Sequence, residues 1–562
     1  MAKNDKNSEI EQLKSEVERL KKEIKKKKKY GLVWEDKTKT EDVVELCKKK
    51  LPILKEVKNK EIITNKDKPV NLLIEGDNYH ALSVLNYTHA GKIDVIYIDP
   101  PFNTGAKDWK YNNHYVDIND AYRHSKWLSM MSNRLQITKN LLKDDGVLIC
   151  AVDENEFYRL GSLLEDIFKR REIHCITIVH NPRGVQGDNF SYMHEYAYFV
   201  FRKGLKVIGS KQREEILEEE LRDHGGESLR TDARNCFYPI HVKNNKIVGF
   251  GNVPDKNFHP KSKNVKQKNG IIEVWPIDSK GVERKWVFAL QTIDEIKNKL
   301  FVKEKKNGDI DIFRRKDTQK PRTVWFGQKY DASTFGSKIV NGLTGVSFPF
   351  PKSIFNTKDC LECVIKERKD AIVLDYFAGS GTTGHAVLLL NKEDNGNRKF
   401  ILCTNNENGI AEKVCLPRIR NVIKGHKDYP DITGIPANLK YFKADKNTFV
   451  DSEPTDKNKI KLTQEASEML CIKEGTFESV LDRKKFKIFK NSSHYTGIIF
   501  DQIAIPAFKK AIKDIKGKFS VYVFSLGDET FDDEFSDINQ KVKLSPIPEA
   551  ILRVYRRIFK QI

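Results

Sequence analysis

At 562 residues the chain is too long for one ordinary domain, and its 39% hydrophobic content is enough for sizeable cores. Lys and Arg number 100 against 79 Asp and Glu, a formal charge of +21 that favours a polyanionic partner such as nucleic acid. No apolar run is long enough to cross a bilayer and no secretory signal follows Met1, so a membrane protein is excluded and a cytoplasmic one expected.

Residues 1–29 form a separate unit. Ile10, Leu13, Val17, Leu20 and Ile24 recur at spacings of three and four, a short coiled-coil seam, and Lys25 to Lys29 follow as a basic run. From residue 30 to 204 the pattern alternates strand and helix. Strands are predicted at Asn71–Gly76, Ile93–Ile98, Gly146–Val152, Ile176–Val179 and Tyr196–Phe201, with a helix from about Trp127 to Leu142. Such alternation predicts an α/β fold with a largely parallel sheet. Residues 205–345 are polar and rich in Lys, Asn and Gly, with short aromatic strands at Ile272–Trp275 and Lys285–Phe288, and read as an insert between two halves of the sheet. Buried strands resume at Ala371–Asp375 and Lys399–Cys403 within residues 346–435. A second small α/β unit is expected over 436–562, with strands Gly497–Phe500 and Ser520–Phe524 and a final helix Pro548–Phe559. The nine cysteines are scattered. Cys360 and Cys363 make the one tight pair, which without a second pair reads as two helical cysteines rather than a metal site.

Two motifs carry chemistry. In the first, the strand ending at Asp375 runs through Phe377, Ala378, Gly379, Ser380 and Gly381 into a helix beginning near Thr382, so glycines and a helix N-terminus offer a ligand close backbone approach and unpaired N–H groups. Gly379-x-Gly381-x-x-Gly384 also matches a dinucleotide fingerprint, with Glu407 placed for a ribose hydroxyl, which keeps a nicotinamide-dependent oxidoreductase open. In the second, Asp99-Pro100-Pro101-Phe102 follows directly on a hydrophobic strand. A carboxylate and a proline carbonyl can each accept a hydrogen from an exocyclic aromatic amine, raising electron density on a nitrogen whose lone pair is delocalised. Phe102 offers a ring on which a flipped base can stack. A bare proline turn explains neither the acid nor the aromatic. No Walker motif occurs, so an ATP-driven motor is not in this chain. A fragmentary nuclease-like Glu56-Val-Lys58 is ascribed to chance.

With these residues the chain resembles the β group of DNA amino-methyltransferases, and more closely the Mod (modification) subunits of type III restriction-modification systems and their stand-alone adenine-specific relatives. The stretches that carry the resemblance are Ile74–Leu82, Ile96–Gly105, Ser347–Lys352 and Asp375–Thr383, with Tyr30–Trp34 and Arg398–Leu402 also similar. It implies a Rossmann-like, seven-stranded S-adenosylmethionine-dependent methyltransferase fold in circularly permuted order, entered at its third strand. Residues 30–204 would be the catalytic half, 205–345 an inserted target-recognition domain and 346–435 the cofactor-binding half. The resemblance makes S-adenosyl-L-methionine the cofactor, held by Asp77, Asn78, Lys352, Asp375, Phe377, Ala378, Gly379, Gly381, Thr382 and Glu407. Double-stranded DNA with a flipped adenine is the implied substrate, a homodimer beside a separate ATP-dependent restriction (Res) subunit the implied assembly, and a DNA-associated place in a bacterial-type cytoplasm the implied location. Phe102 stands where tyrosine is commoner, and Asn405 and Asn406 precede Glu407, which weakens its assignment. A cytosine-amine methyltransferase and a catalytically silent DNA-binding subunit stay open beside the adenine enzyme.

Overall fold

A computed structural model describes residues 34, 40–186, 188–305, 308–427, 433–444, 448–527 and 529–561. The expected N-terminal coiled coil lies outside them. Chain contacts divide the molecule into two compact units, one of residues 1–209 and 322–562 and one of Ser210–Pro321.

The larger unit is built on a sheet whose central strands are short, largely apolar runs, as burial on both faces requires. In chain order these are β1 (Val70–Gly76), β2 (Ile93–Ile98), β3 (Leu142–Val152), β4 (Arg171–Val179), β5 (His194–Arg202), β6 (Ile372–Asp375), β7 (Lys399–Thr404) and β8 (Asn438–Ala444). They lie in the order β8-β1-β7-β6-β2-β3-β5-β4. From β8 to β3 neighbours are parallel, whereas β5 runs antiparallel to β3 and β4. The sheet has eleven strands rather than the expected seven. β8 extends one edge, the two-residue strands Lys55–Glu56 and Ile62–Ile63 pair with it, and Val324–Trp325 adds to β4.

Helices cover both faces: α1 (Asp42–Lys49), α2 (Asn78–Thr88), α3 (Arg123–Thr138), α4 (Ile354–Ile365), α5 (Thr382–Asp394) and α6 (Leu416–Lys424). The predicted Trp127–Leu142 helix ends at Thr138, because Leu142 already pairs with Ile93 as the start of β3. Cys360 and Cys363 both lie on α4 and are buried among apolar residues. Among the described residues no group of acidic, His or Cys side chains could hold a metal, and no helix is long and apolar enough to cross a membrane.

Beyond β8 come α7 (Ser467–Glu474), a five-stranded sheet over residues 478–547 and α8 (Glu549–Gln561). This part shares a core with the main sheet. Ile551, Tyr555 and Ile558 of α8 are buried with Leu82 and Leu85 of α2, and Tyr555 Oη donates to Pro52 O at 2.7 Å. Each fully buried side chain of this kind stabilises by about 1.5–3 kcal/mol.

The smaller unit, Ser210–Pro321, is narrower than the expected 205–345 insert, since Val324–Trp325 belongs to the main sheet. It holds a three-stranded sheet (Lys211–Glu220, Ile310–Gln319, Leu300–Glu304) and a four-stranded one containing Ile240–Lys243 and Ile272–Val274. The expected strand Lys285–Phe288 forms no ladder among the described residues and makes one isolated bridge, Trp286 to Arg222. Trp286 is instead a core residue whose indole donates to Tyr238 O at 2.8 Å.

Candidate active site

Four neighbouring parallel strands, β1, β7, β6 and β2, deliver Asp77-Asn78, Glu407, Asp375 and Asp99 at or just beyond their carboxyl ends. Carboxyl ends of parallel strands are where such sheets bind ligands. Asp153 follows β3, the next strand along, and burial pushes its carboxyl up to about 6.

The turn after β6 is braced from several directions. Asp375 is 3% exposed, accepts from Thr383 Oγ1 at 2.6 Å and from the Phe377 N–H at 2.9 Å, and is pushed up to about 7 by burial, with Asp99 adding. Ala378 N–H donates to Cys403 O at 3.1 Å, tying the turn to β7. Gly381 has φ 82°, which a side chain resists, and is the N-cap residue just before α5. Gly384 has a packing reason instead, for a Cβ there would stand 2.8 Å from Ile419 and 3.0 Å from Leu402. Arg418, fully buried on α6, donates Nη1 to Ser380 Oγ at 2.9 Å and to Thr382 Oγ1 at 2.8 Å.

Asp77 caps α2 through the Tyr79 N–H at 2.7 Å, and its side chain stays 40% exposed. Asn78 is spent on structure: Nδ2 donates to Tyr376 O at 3.0 Å and Oδ1 accepts from Arg134 Nε at 2.5 Å. Arg134 is itself buried and pairs with both Glu41 oxygens at 3.0 and 2.9 Å. Glu407 is 46% exposed with Lys110 Nζ at 3.5 Å.

The strip after β2 is held differently. Trp127 Nε1 on α3 donates to Pro101 O at 2.7 Å, fixing that carbonyl toward the helix; no hydrogen bond reaches Pro100 O among the described residues. Asn103, fully buried at φ 58°, donates to Glu156 at 2.5 Å and accepts from Trp109 at 3.0 Å. Asp99 Oδ1 is buried without a hydrogen bond, and Lys352 Nζ stands 3.3 Å from it. Burial pushes Asp99 up to about 6, opposed by Lys352 and reinforced by Glu195. Lys352 also pairs with buried Glu195, lies 4.3 Å over the Phe102 ring, and is held above its ordinary value by the two carboxylates despite burial. Asn356 completes the cluster, donating to Glu195 at 2.6 Å. Breaking such a buried pair by removing one partner costs about 3–5 kcal/mol. The sequence reading set Lys352 beside the cofactor-binding residues; the structure places its ammonium with Asp99, Glu195 and Phe102.

Sequence reasoning missed Glu195, Asn103, Trp127, Arg134, Arg418 and Asp153. Asn103 directly follows the strip, and Asp153 repeats the pattern of a strand ending in an acid. The others are charged or aromatic residues far away in sequence, with no local signal.

This arrangement, one turn of glycines at a helix N-terminus beside an acid–diproline–aromatic strip, defines a group-transfer site on an α/β sheet. The chain belongs to the family described as DNA methylase, whose profile matches residues 93–413, more than half of its 562 residues. It is 30% identical over 382 residues to type II methyltransferase M.KpnI of Klebsiella pneumoniae, covering 63% of this chain and 86% of that one. It resembles the Mod subunits of type III restriction-modification enzymes. Identity is 29% over 388 residues with EcoPI Mod of Escherichia phage P1 and 28% over 393 with StyLTI Mod of Salmonella typhimurium. These alignments cover 60% and 64% of this chain but only 58% and 57% of those subunits. Among solved structures, the M1.HpyAVI–SAM complex aligns at 12% identity and TM-score 0.29, over 62% of this chain and 98% of that one. PvuII DNA methyltransferase (cytosine-N4-specific) aligns at 11% and 0.31, over 66% and 95%. TM-scores this low add nothing to the fold described above. Family membership leaves the nicotinamide reading of Gly379–Gly384 without support.

Proposed function

We propose that the chain is a site-specific DNA adenine methyltransferase that uses S-adenosyl-L-methionine. The observation that carries this reading is the row of four adjacent strand ends bearing Asp77, Glu407, Asp375 and Asp99. The residues present fit the cofactor. Asp77 and Glu407 are half-exposed carboxylates suited to its amine and hydroxyl hydrogens, and the Asp375–Thr382 turn offers close backbone approach at a helix N-terminus. Bound there, the cofactor supplies an electrophilic methyl group.

The protein's own work falls on the strip. Asp99 Oδ1, buried with unused hydrogen-bonding capacity, and Pro100 O accept the two hydrogens of the target amine, which raises electron density on its nitrogen. Lys352 keeps Asp99 ionised beside it, and the Phe102 ring stacks on the extruded base. Asp99, in place of the serine of the cytosine-amine pattern, supports adenine as the target. Single-molecule modified-base sequencing of DNA from a host expressing the protein tests this. N6-methyladenine at one motif is expected; N4-methylcytosine would overturn the base, and unmodified DNA the activity.

Target recognition is assigned to Ser210–Pro321, a compact unit outside the strands that build the site. Exchanging it for that of a relative should change the methylated motif, and an unchanged motif in an active chimera would refute it. The circularly permuted order, a homodimer and an ATP-dependent Res partner follow the Mod resemblance. Light scattering and co-purification test the two assemblies.

A further inference from the structure

Phe350 is the most exposed large apolar side chain among the described residues, at 95%, with Ile503 next at 79%. Its backbone is in the left-handed region at φ 51°, a conformation that bulky side chains rarely adopt and that its neighbours must impose. The segment is anchored on both sides of the ring. Phe348 Cζ lies 3.5 Å from where a Gly379 side chain would begin, so that ring covers the turn after β6. Lys352, two residues on, stands 3.3 Å from Asp99. Behind it, Pro351 O packs so closely on Gly336 that a Cβ there would come within 2.4 Å, and Ser353 Oγ donates to Lys329 O at 2.7 Å. Pro349 and Pro351 flank the ring and limit its backbone. A braced strap therefore bridges the two halves of the site and holds one aromatic ring out into solvent.

We infer that Phe350 is the wedge that enters the DNA base stack in the place of the extruded target base. This inference rests on the proposed base-extruding methyl transfer. Two residues of chain span at most ~7 Å, so the Phe350 backbone lies that close to the backbone of Lys352, which touches both Asp99 and the Phe102 ring. Proteins that unstack duplex DNA insert apolar side chains of this kind, Phe among them. A ring held by a rigid strap enters the stack without first having to be ordered.

The test uses the full chain with S-adenosylmethionine and a duplex carrying the methylated motif found by sequencing. A second duplex has an abasic site opposite the target, so that the base is already unpaired. Phe350→Ala should lose about 10-fold or more in single-turnover transfer on the paired duplex, as removing a stacked ring does elsewhere. It should come within about threefold of wild type on the abasic duplex, where extrusion is already largely accomplished. Phe350→Trp should keep most of the rate on both. With 2-aminopurine at the target, wild type should brighten the paired duplex and Phe350→Ala should not. Wild-type transfer by Phe350→Ala on the paired duplex, or an equal loss on both duplexes, would overturn the wedge while leaving the enzyme a methyltransferase. Absence of transfer by the wild type would instead overturn the underlying function.

Discussion

Asp99 and Asp375 end neighbouring strands, and burial pushes both carboxyls upward, yet their surroundings differ in kind. Asp375 is satisfied within its own turn, by the Thr383 hydroxyl and the Phe377 N–H, so its oxygens are committed to the shape of that turn. Asp99 instead meets a lysine ammonium, 3.3 Å from its buried Oδ1, and has no hydroxyl or backbone N–H tying that oxygen into a turn. A buried oxygen held only by an ammonium keeps lone-pair capacity for a further donor. One carboxylate therefore builds a surface and the other waits for a partner.

The strongest way to break this comparison is to remove each acid in turn. Asp99→Ala should lower methyl transfer on the order of a hundredfold or more while leaving cofactor binding within a few fold. Asp375→Ala should show the reverse order, losing cofactor affinity first as its turn loosens. Calorimetric cofactor binding beside tritiated-methyl transfer reads both. Equal loss of binding in the two variants would erase the distinction.

A subtler probe leaves both acids in place. Wild-type transfer should fall as pH drops through about 6, where Asp99 becomes protonated and can no longer accept with both oxygens. Glu195 adds negative charge near Asp99 and so raises that value. Glu195→Gln should shift the acid limb to lower pH, even if the maximal rate falls because Lys352 is less firmly held. A single-turnover pH series reads the limb, and a limb that stays in place or moves upward would contradict the charge coupling.

The smallest effect belongs to Phe102. Phe102→Ala should weaken capture of the target base by about 1–3 kcal/mol, the range for base–aromatic stacking. Phe102→Tyr, which keeps the ring, should stay near wild type. Comparing KM for DNA with the single-turnover rate locates the loss; an unaffected Phe102→Ala would mean that the ring only packs against Lys352.

Strands β1, β2, β6 and β7 were legible because each is an apolar run cut off by polar residues, and β2 and β6 close on an acid. The beginning of β3 was not, since Lys143, Asp144, Asp145 and Gly146 break its apolar pattern although Leu142 is already paired. Two-residue strands such as Val324–Trp325 carry no periodicity at all. The aromatic run Lys285–Phe288 looked like a strand because Trp286 and Phe288 alternate, but packing of the Trp286 indole governs that stretch. The strip and the turn were visible as motifs. Their supports were not: Glu195, Arg134 and Arg418 are charged residues in a chain that is 32% charged, and only tertiary contact distinguishes them from surface.

The strand order β1-β7-β6-β2 has a consequence for how the protein is made. β1 and β2 are close in sequence but are separated in the sheet by two strands that follow some 270 residues later. While the chain is being synthesised, β1 therefore has no neighbour until β7 or β8 emerges, and one edge of β2 stays open until β6 does. Unpaired apolar edges of this kind invite association with other nascent chains. Production should accordingly depend on chaperones, although in the finished sheet β1 and β2 each have a neighbour on both sides.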